Sequence, residues 1–144
     1  MKRILLALSM AMLVFATTGC KKDVRMYTSY YTVEPKHWVS ANNLDYSYAP
    51  FENENITTDV IENGCVLVYL VDSDGRDNPL PYEIFRQDNS TGNYYSETFS
   101  YDASVENGVG TITFKFEASD FDNAASLSQI GNTLFKVCVL ENNR

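Results

Sequence analysis

Histidine occurs once in this chain of 144 residues, at His37. A catalytic triad or a His-based zinc site needs that ring beside Ser, Cys or further ligands, and no such motif surrounds it. His37 therefore reads as a loop residue. Basic residues are also few: 11 Lys and Arg stand against 19 Asp and Glu. That balance is the reverse of what nucleic-acid phosphates require, so no nucleic-acid partner is expected. Cysteines number three, and Cys65 and Cys138 have no histidine nearby, which argues against a catalytic thiol. Internal repeats, Pro/Ser-rich linkers and long amphipathic helices are absent as well. What is left is one domain, and its residues alternate as strands do.

The alternation is clearest from Thr111 to Glu117. Ile112, Phe114 and Phe116 point one way, while Thr111, Thr113, Lys115 and Glu117 point the other, the mark of a half-buried strand. Leu134 to Leu140 likewise sets Phe135, Val137 and Val139 against Lys136. Cys65 to Val71 is apolar on both faces, as in a strand covered on both sides. Weaker strands are expected at Tyr27 to Val33, Asp45 to Tyr48, Tyr82 to Gln87 and Tyr94 to Tyr101. Between them, Asp72-Ser73-Asp74-Gly75, Asn89-Ser90-Thr91-Gly92-Asn93 and Glu106-Asn107-Gly108 carry turn chemistry. Thr57 to Asn63 predicts one helical turn with a threonine N-cap and Gly64 as a left-handed C-cap. Ala124 to Ile130 predicts another. The pattern predicts an all-β fold: an antiparallel β-sandwich of about seven strands with one or two short helical turns.

The first twenty residues belong to a different layer of information. Lys2 and Arg3 precede an apolar run from Ile4 to Ala16, and Thr17-Thr18-Gly19 leads into Cys20. The run is too short for a bilayer span, which needs roughly 20 apolar residues, and fits a secretory signal. Small residues before a cysteine resemble the bacterial lipoprotein signal, although Thr17 stands where that pattern usually has Leu. The resemblance implies a signal peptide over 1–19, lipid on Cys20, a tether over 20–25 and a β-sandwich domain over 26–144. Losing Lys2 and Arg3 leaves 9 basic against 19 acidic residues, a balance of −10. Attachment to anionic headgroups by charge alone is then excluded, so the membrane link is the lipid. Lys21 is not the aspartate that marks inner-membrane retention in such lipoproteins, which implies the outer membrane. The periplasmic and external faces stay open.

The run Ile56-Thr57-Thr58-Asp59-Val60-Ile61-Glu62-Asn63-Gly64, followed by Cys65-Val66-Leu67-Val68-Tyr69 and later Leu80-Pro81-Tyr82, resembles a group of small Bacteroidetes lipoproteins and secreted domains. Some of these carry collagen-like repeats ahead of the domain. This chain has none, so a trimeric stalk is not carried over. The resemblance implies a fold and a compartment, and no activity comes with it.

Four sets of residues are candidates for chemistry. Asp72, Asp74 and Asp77 form an oxygen-rich loop that resembles calcium loops in outline, with glycine misplaced for an EF-hand; an acidic hairpin loop between two apolar strands needs no metal, and none is expected. Asp120 and Asp122 could serve a glycosidase only beside a second carboxylate across the sugar, which sequence cannot place. Cys65 and Cys138 are a candidate disulfide in an oxidising compartment, or two small buried hydrophobes. Tyr30, Trp38, Tyr46 and Tyr48 belong to an aromatic cluster suited to protein interfaces or to stacking on sugar rings, though strands also favour such residues for packing alone. No cofactor is expected. The expectation is a lipid-anchored, non-enzymatic envelope protein that serves as a protein-interaction or structural subunit; the alternative is a surface glycan-binding module that uses exposed Tyr and Trp.

Overall fold

The computed structural model describes residues 23–41, 46–88, 91–120, 126 and 130–142. Among these described residues, nine strands form two antiparallel sheets. In chain order they are β1 (Val24–Val33), β2 (Val39–Ser40), β3 (Ser47–Glu52), β4 (Cys65–Val71), β5 (Asp77–Pro79), β6 (Tyr82–Gln87), β7 (Tyr94–Glu106), β8 (Val109–Ala118) and β9 (Thr133–Asn142). Sheet A runs β1-β9-β4-β5, and sheet B runs β2-β3-β8-β7-β6. This is the expected all-β sandwich. The count exceeds seven because β2 and β5 are edge strands of two and three residues.

The core forms where the two alternating strands face each other. Ile112, Phe114 and Phe116 of β8 are buried, as are Phe135, Val137 and Val139 of β9. Phe114 and Phe135 stack across the gap with centroids 4.2 Å apart and planes 9° from parallel. Phe99 of β7 joins them, 5.0 Å from Phe116 and 5.9 Å from Phe135. Tyrosine hydroxyls tie the sheets together: Tyr101 donates to the Val66 carbonyl at 2.7 Å and Tyr31 to the Glu52 carbonyl at 3.3 Å. Burial pushes the Tyr101 phenol above its ordinary value, and Tyr31 on β1 is raised for the same reason.

The two ends of the sandwich differ. One is closed by a short helix, α1 (Thr58–Asn63), whose first turn is capped by the Thr57 hydroxyl accepting the Val60 N–H at 3.2 Å. Val60 drops into the core. Gly64 ends the helix with φ −105°, extended rather than the expected left-handed cap. Glycine is needed there for another reason: a Cβ would collide with the Leu140 carbonyl oxygen. Gly110 has the same role opposite the Ile56 and Asn53 carbonyls. The tight β7–β8 hairpin lies at this end, with positive φ at both Asn107 and Gly108, as a two-residue hairpin turn demands. At the opposite end lie the Asp72–Arg76 turn and the β6–β7 loop. A cis Leu80–Pro81 bond sits where the chain crosses from β5 to β6.

Strand β1 begins at Val24, two residues before the expected domain start. The segment Ala124–Ile130 falls outside the described residues except for Ser126 and Ile130. Among the described residues, no helix is long and apolar enough to cross a membrane.

Candidate functional site

The Asp72 loop is occupied by its own chain. Asp72 Oδ1 accepts the N–H groups of Asp74 and Arg76, both at 2.9 Å. These bonds, that of Arg76 foremost, hold the Asp72 carboxyl below the usual aspartate range. Asp74 pairs with the Arg76 guanidinium, and Asp77 reaches across to Lys136 of β9. That bond to Asp77 raises the Lys136 ammonium above its ordinary value. Among the described residues, no group of three or more His, Cys, Asp or Glu is placed to hold a metal ion. The three carboxylates of the calcium candidate Asp72, Asp74 and Asp77 are thus engaged by backbone N–H groups and by Arg76 and Lys136 of the chain itself, in a loop built as a turn.

Of the two alternatives for Cys65 and Cys138, the structure has them as free thiols, Cys65 exposed and Cys138 buried. Cys65 sits opposite Leu140, and Cys138 opposite Leu67, on adjacent strands. The two are therefore diagonal neighbours, at a typical separation of about 7–8 Å between α-carbons. A disulfide needs less than about 7 Å. Cys138 Sγ instead contacts Thr28 Oγ1 at 3.8 Å. His37 ends a 3-10 turn (Pro35–His37), where its Nδ1 accepts the Glu34 N–H at 3.1 Å. Its ring meets Phe51 edge-on at 5.7 Å. Cys20 and Asp122 lie outside the described residues.

The four aromatics are not brought to one surface. Trp38 packs inward, 6.2 Å from Phe116 and 6.5 Å from Phe99. Tyr30 is exposed on the outer face of sheet A, opposite Lys136. Tyr46 and Tyr48 lie together on the outer face of sheet B, 6.4 Å apart, but their planes are inclined by 58°. Lys115 Nζ stands 5.4 Å over the Tyr46 ring and pairs with Asp102. No flat platform for a sugar ring results from these residues.

Two exposed features lie elsewhere. On β6 and β7, Phe85 and Tyr94 are the most exposed large hydrophobics described, at 74% and 76%. Phe85 is opposite Ser96 and Tyr94 opposite Gln87, which makes the two aromatics diagonal neighbours on one face of the hairpin. The signal was present in the sequence: Glu83 and Gln87 flank Phe85 at two-residue spacing, so its face is the polar one. The second feature is the outer face of sheet A, where Leu67, Cys65, Met26 and Val24 are exposed. Cys65–Val71 was expected to be covered on both faces. Sheet B covers only the Val66, Val68 and Leu70 side.

Between the sheets, at the end away from α1, a cleft of about 480 Å³ is lined by Leu70, Ile84, Phe99, Ile130 and Leu134. Arg86 reaches into it and binds the buried Glu97 carboxylate at 3.1 Å. That ion pair neutralises both partners and leaves the cleft a largely apolar sandwich mouth. No protein-family model, curated protein or solved structure matches the chain.

Proposed function

We propose that this protein is a lipid-anchored domain of the bacterial outer membrane that acts by binding a protein partner of the envelope, without catalysis. The observation that carries the reading is the Phe85–Tyr94 pair. Two large aromatics held side by side on a rigid hairpin, open to solvent, are the residue type and placement that dominate protein interfaces. The hairpin also lies at the end of the sandwich opposite Val24, where the chain arrives from Cys20. A lipid on Cys20 would hold the Val24 side of the domain at the bilayer, while Phe85 and Tyr94 stand on the other sheet.

The glycan-binding alternative has less support, because Trp38 is turned inward and Tyr46 and Tyr48 are inclined to each other. The test is a photocrosslinking amino acid placed at Phe85 or Tyr94 in cells. A discrete adduct of protein mass is expected at these positions and not at Thr113 on the same sheet. Adducts at all three positions, or at none, would overturn the reading.

A further inference from the structure

The outer face of sheet A carries its own pattern. Rows across β1, β9 and β4 read Met26–Leu140–Cys65, then Thr28–Cys138–Leu67, then Tyr30–Lys136–Tyr69, with Val24 beside Asn142 at the margin. The first two rows hold no charged residue, and Met26 and Val24 are 65% and 58% exposed. Among the described strand residues of this face, the only ions are Lys136 and Asp77, which pair with each other. A shallow apolar groove of about 340 Å³ continues the patch round the edge at Val24, Gly64, Cys65 and Leu140. The helix that closes this end of the sandwich carries its acids, Asp59 and Glu62, on the end rather than in these rows.

We infer that this face lies on the bilayer surface, a conclusion that rests on lipid anchoring at Cys20. Only three residues, Lys21 to Asp23, lie between Cys20 and Val24, so the four residue steps span at most about 14 Å between the lipid and the start of β1. The uncharged rows begin at that same end of β1. They are held within reach of the headgroups whether or not they have affinity for them. In sequence, Lys21 and Lys22 lie between Cys20 and the strand with Asp23 beside them; Arg25 alternates to the other face of β1, opposite Glu141.

The size of the patch favours a membrane over a second copy of the chain. Three strands spaced about 4.8 Å, over seven residues rising about 3.4 Å each, give a footprint on the order of 350 Å². A stable protein interface needs about 800 Å² from each partner, so this face alone falls well short. A tethered surface needs much less, because the anchor makes docking intramolecular. With sheet A against the lipid, the outer face of sheet B, which bears Phe85 and Tyr94, is turned away from the membrane.

The test uses the mature chain on vesicles of phosphatidylethanolamine and phosphatidylglycerol (3:1) doped with a phosphatidylethanolamine carrying an acyl-chain diazirine. The chain is held either by its own lipid or by an N-terminal hexahistidine on nickel-chelating lipid. After irradiation, adducts are mapped by mass spectrometry. Labelling of β1 and β4 should exceed that of β8 by at least fivefold, and Met26→Asp with Leu67→Asp should lower it severalfold. Equal labelling of both sheets, or no labelling of β1 and β4, overturns the inference. The intact mass of protein purified from cells separates the two claims. Unmodified Cys20 with β1 and β4 labelled on the nickel tether would end the anchor and support the docking. Lipid on Cys20 without that labelling would do the reverse.

Discussion

At the scale of single residues, the fold depends on a few side chains with no freedom to move. Phe114 is fully buried and stacked on Phe135, where the two sheets meet. Phe114→Ala should cost roughly 3–5 kcal/mol by urea denaturation, the range for a large aromatic lost from a packed core. A loss under about 1 kcal/mol would mean that the strand faces are reversed. Asp72 makes a prediction in pH. Its carboxyl is held low, first by the Arg76 N–H and also by the Asp74 N–H. Its support for the turn is therefore complete above the usual aspartate range and lost as pH falls through the lowered value. A carbon-detected NMR titration should find the Asp72 midpoint below the ordinary aspartate value; a midpoint at or above it would contradict the hydrogen bonding described. Sequence made the Phe114 position legible because alternation fixes its face. It could not reveal that Asp77 faces a cation, since Lys136 is 59 residues from Asp77.

At the scale of elements, local chemistry was legible where it is self-contained. The threonine cap of α1 and the Asn107-Gly108 hairpin form as their residues dictate. Thr57→Ala should cost about 1 kcal/mol of stability, measured by thermal or urea unfolding, as an N-cap loss does. An unchanged midpoint would mean that packing of Val60 alone sets the helix. What local pattern could not show is what covers a strand. The apolar outer residues of β4 read as a doubly buried strand, and only the pairing of β4 with β9 and β5 places Leu67 in the open. The Gly64 expectation erred for a related reason, since the demand for glycine comes from the Leu140 carbonyl 76 positions along the chain. On the β6–β7 hairpin, Phe85→Ser and Tyr94→Ser should each change stability by less than about 0.5 kcal/mol, as surface substitutions do. Both should abolish the partner adduct. A loss of several kcal/mol from either would mark these rings as structural.

At the scale of the whole molecule, the sandwich is polar in the sense of having two unlike ends and two unlike outer faces. Val24, α1 and the uncharged rows of sheet A gather where the chain leaves Cys20; Phe85 and Tyr94 stand on the other sheet, toward the other end. On the proposed reading, a chain starting at Cys20 carries 9 basic to 19 acidic residues; charge alone would repel it from an anionic leaflet, which leaves the proposed lipid as the anchor. Everything said of orientation and partner depends on that lipid. The most direct measurement is the intact mass and membrane partition of the protein from cells, beside Cys20→Ala. Lipid anchoring predicts a chain that begins at Cys20 with acyl groups attached and sediments with membranes, while Cys20→Ala is released. A chain with unmodified Cys20, or equal sedimentation of the two proteins, would contradict it.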